Sequence, residues 1–412
     1  MPARTSQAPR VVIVGAGFAG LSAARALAGS GADVLLVDRN VYSTFQPLLY
    51  QVATGGLNPG DVSYPIRSFT RKAQARFRRG EVVSIDNDAQ QLVLRDGGVL
   101  PFDYLVVATG SSVNHFGIPG AAEHSFSLYR RGDAIALRDQ LMGGLENFAA
   151  RKTGTLTIVI IGGGATGVEM AGTLAELRDA AITAVYPEID PATIRVVLVE
   201  QTPEVLGPFD RRLRQYALRQ LQRRRVEVWP NTSVSRVGSD HVTVEDGRTV
   251  DANLTIWAAG VAVKNWGLPQ GRGGRIAVRE DLRVFGYERV FAVGDVAISS
   301  DDPLPQLAQP AIQSGRHAGL QIRRLIEGHQ TEPLHYHDKG TMATIGRRSA
   351  VVQLPRDIRL TGTLAWLAWL ALHIVTLLGG RNRVSALLNL SWRYVSWPSG
   401  NGVIVGDIPE SS

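Results

Sequence analysis

Cysteine is absent from all 412 residues of the chain. Its absence excludes structural disulfides, thiolate-ligated zinc, iron–sulfur clusters and every reaction that runs through a thiol or a disulfide. Lysine is nearly absent as well, occurring only at Lys72, Lys152, Lys264 and Lys339, so arginine carries almost all of the positive charge behind the net +7. The missing cysteine removes whole classes of enzyme, whereas the scarcity of lysine indicates only a bias in composition.

The positive charge is concentrated in one window near the C-terminal end. Residues 347–397 hold a single acid, Asp357, together with an excess of arginines and more than half of the tryptophans. Arginine and tryptophan around apolar residues are typical of a membrane interface. The residues in question are Arg347, Arg348, Arg356, Arg359, Arg381, Arg383, Arg393, Trp366, Trp369, Trp392 and Trp397.

An uncharged run, LTGTLAWLAWLALHIVTLLGG at 360–380, lies inside this window. At ~1.5 Å per residue, a helix of this length crosses a bilayer core of ~30 Å. Trp366, Trp369, His373 and Thr376 share one helical face, and such an aromatic, half-polar stripe suits a helix lying at the membrane surface. We therefore interpret 360–380 as a surface-lying anchor, with a transmembrane helix and a buried core helix as the alternatives.

Two strand–turn–helix units repeat along the chain. Each has an apolar strand, a G-x-G-x-x-G turn that opens a helix, and a second strand that ends in an acid, Asp38 or Glu200. The first glycine permits a tight turn, the second lets a pyrophosphate approach the backbone, and the third allows close packing of helix on strand. The turns predict two dinucleotide sites, with Gly15, Gly17 and Gly20 in the first and Gly162, Gly164 and Gly167 in the second.

The duplication continues downstream of both turns. Residues 92–110 and 242–260 have equal length, and each predicts a hairpin that turns at Asp-Gly, followed by an apolar strand that ends in glycine. A third short strand, 289–295, ends in Gly294-Asp295, where an acid is well placed to accept hydrogen bonds from a ribityl chain.

This architecture resembles the flavoprotein reductases that have two dinucleotide-binding domains. The first glycine turn, the strand end at Thr109 and Gly110, and Gly294-Asp295 match the FAD site of that group, and the second turn matches its NAD site. The resemblance implies FAD bound by Gly15, Gly17, Gly20, Asp38, Arg39, Thr109, Gly110, Gly294 and Asp295, and NAD bound by Gly162, Gly164, Gly167, Glu200 and Gly260.

The predicted fold class is α/β, with two Rossmann-like dinucleotide-binding domains, one for FAD and one for NAD, and a C-terminal membrane-interface module with amphipathic helices. We expect the first part of the FAD-binding domain at 1–113, the NAD-binding domain at 114–262, the second part of the FAD-binding domain at 263–330, and the membrane-docking module at 331–412.

The sequence indicates in part which electron donor and which electron acceptor the protein uses. A carboxylate at Glu200 accepts hydrogen bonds from ribose hydroxyls and repels a 2′-phosphate, which favours NADH over NADPH, although the neutral Gln201 beside it weakens the discrimination. The lack of cysteine excludes acceptors reduced through thiols, as in disulfide reductases, sulfide:quinone reductases and peroxide-handling NADH oxidases. Direct electron transfer to a quinone, an iron–sulfur protein or dioxygen remains.

Four further stretches resemble the type II NADH:quinone oxidoreductases, and with the glycine turns this resemblance extends over essentially the whole chain. They are FQPLLYQVATGGL (45–57), AQPAIQSGRHAG (308–319), DKGTMATIG (338–346) and GTLAWLAWLALHIVTLLGGRNR (362–383). The resemblance implies a single-subunit enzyme that oxidises NADH by hydride transfer to flavin N5 of FAD and reduces ubiquinone or menaquinone without pumping protons. It implies a peripheral position on the cytoplasmic face of the cell membrane, and it leaves a homodimer open.

Three residues are candidates for the catalytic site. Gln309 and Gln313 lie four apart on a predicted helix that begins near Pro310 and runs to about Glu327. In the family the matching glutamines line the quinone pocket, and the alternative is that both amides cap backbone groups beside the flavin. Glu169 falls in the first turn of the second phosphate-binding helix. The resemblance assigns the matching glutamate to hydride or proton handling, and the alternative is a favourable interaction with the helix dipole.

Other patterns have plainer explanations. The arginines of 211–225 surround an apolar stripe of Leu213, Ala217 and Leu221, which predicts a solvated helix face rather than nucleic-acid binding. The histidines make no ligand pattern with carboxylates, so we expect no metal site. The apolar N-terminal run carries the first glycine turn, which argues against a signal peptide. A soluble NAD(P)H-dependent reductase of an iron–sulfur protein and a flavoprotein scaffold with incidental redox activity stay open as alternative functions.

Overall fold

The structure, a computed structural model, describes residues 8–151, 153–299 and 303–396. Their contacts divide the chain into two compact units. The first unit consists of the described residues up to Ser43 with Tyr64–Ser112 and Val261–Asp338, and the second consists of Thr44–Ser63 and Val113–Gly260 with the described residues from Lys339 onward. Each unit is therefore assembled from segments that lie far apart in the sequence.

In the first half of the chain the strands are β1 (Arg10–Val14), β2 (Asp33–Asp38), β3 (Tyr42–Thr44), β4 (Ser63–Pro65), β5 (Arg76–Arg79), β6 (Val82–Asp86), β7 (Gln91–Leu94), β8 (Val99–Pro101), β9 (Tyr104–Val107), β10 (Ser112–Val113), β11 (Phe126–Ser127), β12 (Leu156–Ile161) and β13 (Ile194–Val199). They are followed by β14 (Val226–Trp229), β15 (Val234–Val237), β16 (His241–Val244), β17 (Thr249–Asp251), β18 (Leu254–Trp257), β19 (Val261–Ala262), β20 (Ile276–Val278), β21 (Val290–Ala292), β22 (Ala297–Ser299), β23 (Thr341–Gly346), β24 (Ser349–Leu354) and β25 (Ile358–Thr361).

The α-helices of the described residues are α1 (Phe18–Ala26), α2 (Leu49–Ala53), α3 (Ile66–Lys72), α4 (Ala121–His124), α5 (Arg131–Arg151), α6 (Ala165–Glu176), α7 (Thr183–Val185), α8 (Arg211–Arg223), α9 (Ala308–Ile326), α10 (Gly362–Thr376) and α11 (Gly380–Ser396).

The first unit is centred on a parallel sheet with the strand order β21-β9-β1-β2-β5. The central strand β1 is an apolar run whose residues 11–14 are all buried, as expected for a parallel strand covered on both faces. Because all five strands run the same way, the glycine turn after β1 and the strand ends of β2, β9 and β21 lie at one edge of the sheet. This edge gathers the residues predicted to bind FAD.

The second unit repeats this sheet with the order β11-β18-β12-β13-β14. Strand β12 takes the central place of β1, and β13, β14 and β18 correspond to β2, β5 and β9. The predicted α/β fold with two dinucleotide-binding sheets is confirmed. Both predicted Asp-Gly hairpins are present as well, with Gly97 at φ +82° and Gly247 at φ +86° in the turns.

A third, antiparallel sheet of β23, β24 and β25 packs on helix α6. The approach is close because Gly172 of α6 has no side chain, and a Cβ there would lie 2.2 Å from the carbonyl oxygen of Ile345. This packing is why the residues from Lys339 onward group with the second unit, whereas 331–338 group with the first. The contacts thus divide the described part of the predicted module 331–412 between the two units.

The uncharged run 360–380 does not form one continuous helix. Helix α10 ends at Thr376, Leu377 has an extended ψ of 139°, and α11 begins at Gly380. Among the residues that the structure describes, no helix combines the length and the apolar character needed to cross a membrane.

The aromatic face of α10 is turned into the protein. Trp366 and Trp369 are only 8% and 1% exposed, and Trp366 packs against Ala350 and Val352 of β24. The expectation that this stripe faces a membrane surface is therefore wrong, because the large rings gain more from burial in the protein than the aliphatic side chains do. The large apolar side chains that α10 exposes are aliphatic instead, namely Leu364, Leu367, Leu372 and Val375.

Helix α11 has polar side chains on the face that meets the protein and exposed apolar side chains on the opposite face. Its polar side chains Asn382, Ser385 and Asn389 bond to the loop 58–63 of the same unit, with Asp61 accepting hydrogen bonds from Ser385 Oγ at 2.6 Å and from Asn389 Nδ2 at 2.7 Å. Ala386 and Leu390 are buried, but four larger apolar side chains point outward, since Val384, Leu387, Leu388 and Trp392 are all exposed.

Two helix predictions are confirmed. Helix α8 buries Leu213, Ala217 and Leu221 as one stripe. Helix α9 runs from Ala308 to Ile326 and is followed by Gly328 at φ +80°, close to the predicted end.

Candidate functional site

The first glycine turn leaves backbone groups open for a phosphate. Helix α1 begins at Gly17 without any side-chain cap, and a Cβ built on Gly17 would meet no atom within 4 Å. The flanking glycines are tightly enclosed, because a Cβ at Gly15 would lie 2.3 Å from Ala108 O and one at Gly20 would lie 1.8 Å from Gly15 O. The turn is thus closed where it packs and open where a ligand approaches, as phosphate binding at a helix N-terminus requires.

Two acids flank this turn. Asp38 accepts hydrogen bonds from the backbone N–H groups of Ala16 and Asn40, each at 2.7 Å. Asp295 accepts a hydrogen bond from Ser111 Oγ at 2.9 Å. Burial raises the pKa of both carboxyls, and the hydrogen bonds oppose that rise.

The strand end after β9 supplies a hydroxyl with no partner. Thr109 Oγ1 is buried and makes no hydrogen bond within the described protein. A buried hydroxyl without a partner costs free energy, so it indicates a place where a ligand atom completes the structure. By contrast, the side chain of Arg39 is exposed, and its backbone oxygen accepts a hydrogen bond from Arg79 Nε at 3.2 Å.

Residues 330–337, named the strap here, run back along α9 after its end. Gln313 binds the strap with both ends of its amide, since Nε2 donates to the carbonyl oxygen of His337 at 2.9 Å and Oε1 accepts from the N–H of His337 at 3.0 Å. For Gln313 the structure therefore matches the alternative interpretation, in which the amide caps backbone groups.

Two further side chains at the same helical spacing hold the strap. His317 Nε2 contacts the carbonyl oxygen of Glu332 at 2.9 Å, and Gln321 Oε1 accepts from the N–H of Glu332 at 2.8 Å. Residues four apart share one face of a helix, so Gln313, His317 and Gln321 form a row along α9. Their i, i+4 spacing is present in the sequence, but the strap that they bind lies beyond the helix and no local pattern predicts it.

Gln309 begins this row and differs from its other members. Its Oε1 is buried and has no hydrogen-bond partner within the described residues. Of the two glutamines predicted to bind substrate, only Gln309 retains an unpaired amide atom. The amide of Gln309 is therefore the one available to a ligand at the N-terminal end of α9.

The second glycine turn repeats the geometry of the first. Helix α6 begins at Gly164, which has no side-chain cap and open space where a Cβ would be. Glu200 accepts hydrogen bonds from the backbone N–H of Gly163 at 2.5 Å and of Thr202 at 2.6 Å. One carboxylate oxygen thus holds the turn and the other holds the chain beyond β13, just as Asp38 does in the first unit.

Glu169 is buried on the face of α6 that meets β23. Its Oε1 accepts a long hydrogen bond of 3.4 Å from the N–H of Thr344, and the indole of Trp369 approaches the same carboxyl without reaching standard hydrogen-bond geometry. Burial raises the pKa of Glu169 to about 8, although the contacts with Thr344 and Trp369 lower the pKa by a smaller amount. The carboxyl is therefore protonated at neutral pH.

The position of Glu169 in its helix differs from the prediction. Helix α6 begins at Ala165, and the first turn contains no acid. The expected placement in the first turn is wrong because the helix starts directly after Gly164, and the helix-dipole interpretation fails with it, since the dipole acts within the first turn. A buried carboxyl with a raised pKa is instead a common mark of a proton-handling residue.

Trp369, the ring that approaches this carboxyl from α10, belongs to a cluster of aromatic rings. The His373 ring stacks on Trp369 with centroids 4.1 Å apart, and Phe45 meets His373 edge-on at 6.1 Å. The ring centroid of Tyr50, on α2, lies 6.2 Å from the ring centroid of Trp369. Burial lowers the pKa of His373 to about 4, so the imidazole is neutral at pH 7. Thr344, Trp369 and His373 had no predicted site role, because a single sequence does not show that these segments pack on α6.

The structure groups the predicted site residues into two sets. The first unit holds Gly15, Gly17, Gly20, Asp38, Arg39, Thr109, Gly110, Gly294, Asp295, Gln309 and Gln313. The second unit holds Gly162, Gly164, Gly167, Glu169, Glu200 and Gly260. Ser111 joins the first set as a partner of Asp295, and it had not been predicted.

The chain matches a known class of nucleotide-binding oxidoreductases over most of its length. The family model described as pyridine nucleotide-disulphide oxidoreductase matches residues 9–315, which include both glycine turns and both parallel sheets. Since the chain has no cysteine, it keeps the nucleotide-binding framework of this class without a redox disulfide.

Individual relatives narrow the class. The type II NADH:quinone oxidoreductase NdhA of Mycobacterium tuberculosis is 39% identical over 92% of this chain and 85% of its own length, and Ndh of the same organism is 35% identical over 96% and 91%. The type II NADH:quinone oxidoreductase of Staphylococcus aureus is 32% identical over 83% and 89%. The chain belongs to the type II NADH:quinone oxidoreductases.

Solved structures agree on the fold. The structure of NDH2 from Plasmodium falciparum in complex with NADH superposes with a TM-score of 0.89 at 19% identity, over 96% of this chain and 100% of that one. The sulfide:quinone oxidoreductase of Aquifex aeolicus gives a TM-score of 0.75 at 20% identity, over 98% and 94%.

Proposed function

We propose that this chain oxidises NADH and passes the electrons through FAD to ubiquinone or menaquinone at a membrane surface, without pumping protons. The observation that carries the proposal is the 39% identity over 92% of the chain to a type II NADH:quinone oxidoreductase. The absence of pumping rests on the family resemblance.

The first unit fits FAD. The open N-terminus of α1 suits a pyrophosphate, and Asp38 suits a ribose. The unpaired hydroxyl of Thr109 and the partly buried carboxyl of Asp295 offer polar partners beyond them. When bound, FAD would accept hydride at flavin N5 and would pass the electrons to quinone. The protein contributes binding, orientation and electrostatics.

The second unit fits NADH. The N–H groups at the start of α6 suit the pyrophosphate, and the carboxylate of Glu200 suits the hydroxyls of an unphosphorylated ribose. A 2′-phosphate at that place meets a negative charge, so NADH is the preferred donor over NADPH.

Two side chains carry the protein's part in quinone reduction. The Gln309 amide, which keeps an unpaired buried oxygen, hydrogen-bonds the quinone head group. Glu169 holds a proton on its carboxyl at pH 7, and reduction of a quinone to a quinol consumes two protons. Gln313 acts indirectly, by holding the strap against α9.

The outward faces of α10 and α11 fit a membrane surface. Eight exposed aliphatic or aromatic side chains lie on these two consecutive helices, and the polar side chains of Asn382, Ser385 and Asn389 on α11 are used inside the protein. Arg381 and Arg383 are exposed beside them and suit anionic headgroups. This surface supports peripheral attachment to a membrane, and we assign it to the cytoplasmic face because NADH is available there.

The test is steady-state NADH oxidation by the flavin-loaded, detergent-extracted protein. We expect a quinone analogue to raise the rate well above the rate in air, with NADPH a poorer donor. If a ferredoxin accelerates NADH oxidation and quinones do not, the proposal is wrong and the iron–sulfur reductase alternative is correct.

Membrane attachment is tested by flotation with vesicles that contain anionic lipid. The double substitution Leu387→Asn with Leu388→Asn removes apolar surface from α11 and is expected to weaken association about tenfold or more. Phe285→Asn, at an exposed aromatic of the first unit, is the matched control and should float like the wild type. Equal flotation of the double variant would exclude α11 as the attachment surface.

A further inference from the structure

Phe116 is an aromatic residue in an unusual setting. Its side chain is 58% exposed, and its backbone φ is +53°, a region that bulky residues rarely adopt. The segment is nevertheless held in place, because Asn114 Oδ1 accepts from the N–H of Phe116 at 2.8 Å and Asn114 O accepts from Trp257 Nε1 at 2.9 Å. Backbone conformations of this kind persist where neighbouring bonds enforce them, and they cluster at functional sites.

The ring of Phe116 lies directly against Gly260. A Cβ built on Gly260 would be 2.2 Å from Cζ of the Phe116 ring, so the missing side chain is what admits the ring. Gly260 itself has φ +66° and follows strand β18 by three residues. One side of the ring therefore covers the chain leaving β18, and the other side remains open to solvent.

The sheet order places this ring relative to a bound dinucleotide. Strand β12, which leads into the glycine turn, has β13 on one side and β18 on the other. Glu200, the acid suited to the adenosine ribose, ends the β13 side, and a dinucleotide extends across the turn from one side to the other. The nicotinamide half therefore lies over the β18 side, where Phe116 and Gly260 are.

We propose that the exposed face of Phe116 packs against the nicotinamide half of NADH and thereby sets the affinity for the intact dinucleotide. The proposal rests on the proposed function, since it takes NADH as the substrate. It assigns Phe116 to substrate binding and gives Gly260 a defined part, which is to leave room for the ring.

The test compares two ligands that differ in the nicotinamide half. NAD⁺ carries both halves, whereas ADP carries only the adenosine side with its phosphates. Binding of each to the flavin-loaded enzyme is measured by titration calorimetry. We expect Phe116→Leu to raise the Kd for NAD⁺ about five- to tenfold and to leave the Kd for ADP unchanged. Phe116→Tyr should keep the wild-type Kd for both, and Phe285→Leu is the control for an exposed ring elsewhere.

The outcomes separate this inference from the proposed function. If Phe116→Leu binds NAD⁺ as tightly as the wild type, the inference is overturned. If it loses affinity for ADP and NAD⁺ equally, the ring supports the sheet edge and not the nicotinamide half, which also overturns it. If the wild type binds neither NAD⁺ nor ADP, it is the proposed function that fails.

Discussion

The helices that follow the two glycine turns begin alike and pack differently. Both start at a glycine without a side-chain cap, and both are followed by a strand whose terminal acid holds the turn. Beyond that point, α1 meets helix α9, where Gly315 and Gly319 let the two backbones approach closely. Helix α6 instead meets strand β23, across from Gly172.

The alignment of the two turns shows where the copies diverged. Gly162 aligns with Gly15, so Glu169 aligns with Ser22, and no acid occupies that place in the first unit. The two units therefore share the uncapped helix N-terminus that we propose for phosphate binding, and they differ in the side of the helix that packs against a neighbouring element. In the second unit that side carries a buried carboxyl with a raised pKa, and in the first unit it does not.

Substitutions at the close contacts should have the largest effects. A methyl group at Gly172 would lie 2.2 Å from Ile345 O, and one at Gly315 would lie 2.1 Å from Ala19 O. Overpacking of this kind costs ~1–3 kcal/mol. We expect Gly172→Ala to keep its flavin and lose about a hundredfold in turnover, and Gly315→Ala to lose its flavin, as measured by flavin absorbance and NADH oxidation.

The control for this pair is Gly144→Ala on α5, where an added Cβ meets no atom within 4 Å. It should retain both flavin and turnover. If Gly172→Ala and Gly315→Ala lose flavin to the same extent, the two packing contacts do not serve separate sites.

Glu169→Gln should give the next largest effect. The amide keeps the shape of the side chain but carries no acidic proton, and loss of a general acid costs about a hundredfold in rate. We expect kcat to fall by about that factor while flavin content and the Kd for NAD⁺ stay unchanged. Ser22→Ala at the aligned position of the first unit should have no effect, and loss of flavin by Glu169→Gln would indicate a folding role instead.

Substitution of Asp38 and Glu200, the acids at the ends of β2 and β13, should affect flavin binding and NADH binding separately. Asp38→Asn is expected to weaken retention of flavin, and Glu200→Gln is expected to raise the KM for NADH about tenfold with flavin retained. Glu200→Gln should also narrow the preference for NADH over NADPH, because the charge that repels a 2′-phosphate is gone. An equal loss of flavin in both variants would contradict the assignment of one nucleotide to each unit.

The smallest expected effect is on stability as a function of pH. The pKa of Glu169 is raised to about 8 in the folded protein, whereas an unfolded glutamate titrates near ~4.5. The folded state therefore binds this proton more tightly than the unfolded state does. The proton's contribution to the free energy of unfolding is full below pH ~4.5 and is lost as the pH rises through about 8. We expect the wild type to lose a few degrees of Tm relative to Glu169→Gln between pH 5 and pH 8.5, measured by thermal unfolding with flavin bound. Parallel Tm profiles for the two proteins would show that Glu169 does not titrate in this range.

Local patterns were enough to predict much of the fold. The glycine turns, the Asp-Gly hairpins, the stripe of α8 and the end of α9 near Gly328 each depend on a few adjacent residues, and each is found in the structure. These features are set by backbone conformation and hydrophobic periodicity, which a single sequence contains.

The remaining features depend on partners distant in the sequence. The sequence showed that Gln309 and Gln313 share a helix face, but only the position of the strap shows that Gln313 is occupied and Gln309 is not. The aromatic stripe of α10 had the composition of an interface, and its burial became visible only with β24 in place. The composition of a helix face shows which kinds of contact it can make, but only the packing of the folded chain shows which element it contacts.

The order of elements at the C-terminal end has a practical consequence. The strand that covers Glu169 leads, through β24 and β25, directly into the helices whose aliphatic side chains face outward. A shortened chain that ends before Lys339 would be easier to handle in aqueous buffer, but it would expose the carboxyl that β23 covers. A chain that ends at Thr361 would keep β23 and still remove Trp369. A water-soluble version of this enzyme is therefore better sought by replacing Leu387 and Leu388 than by trimming the chain.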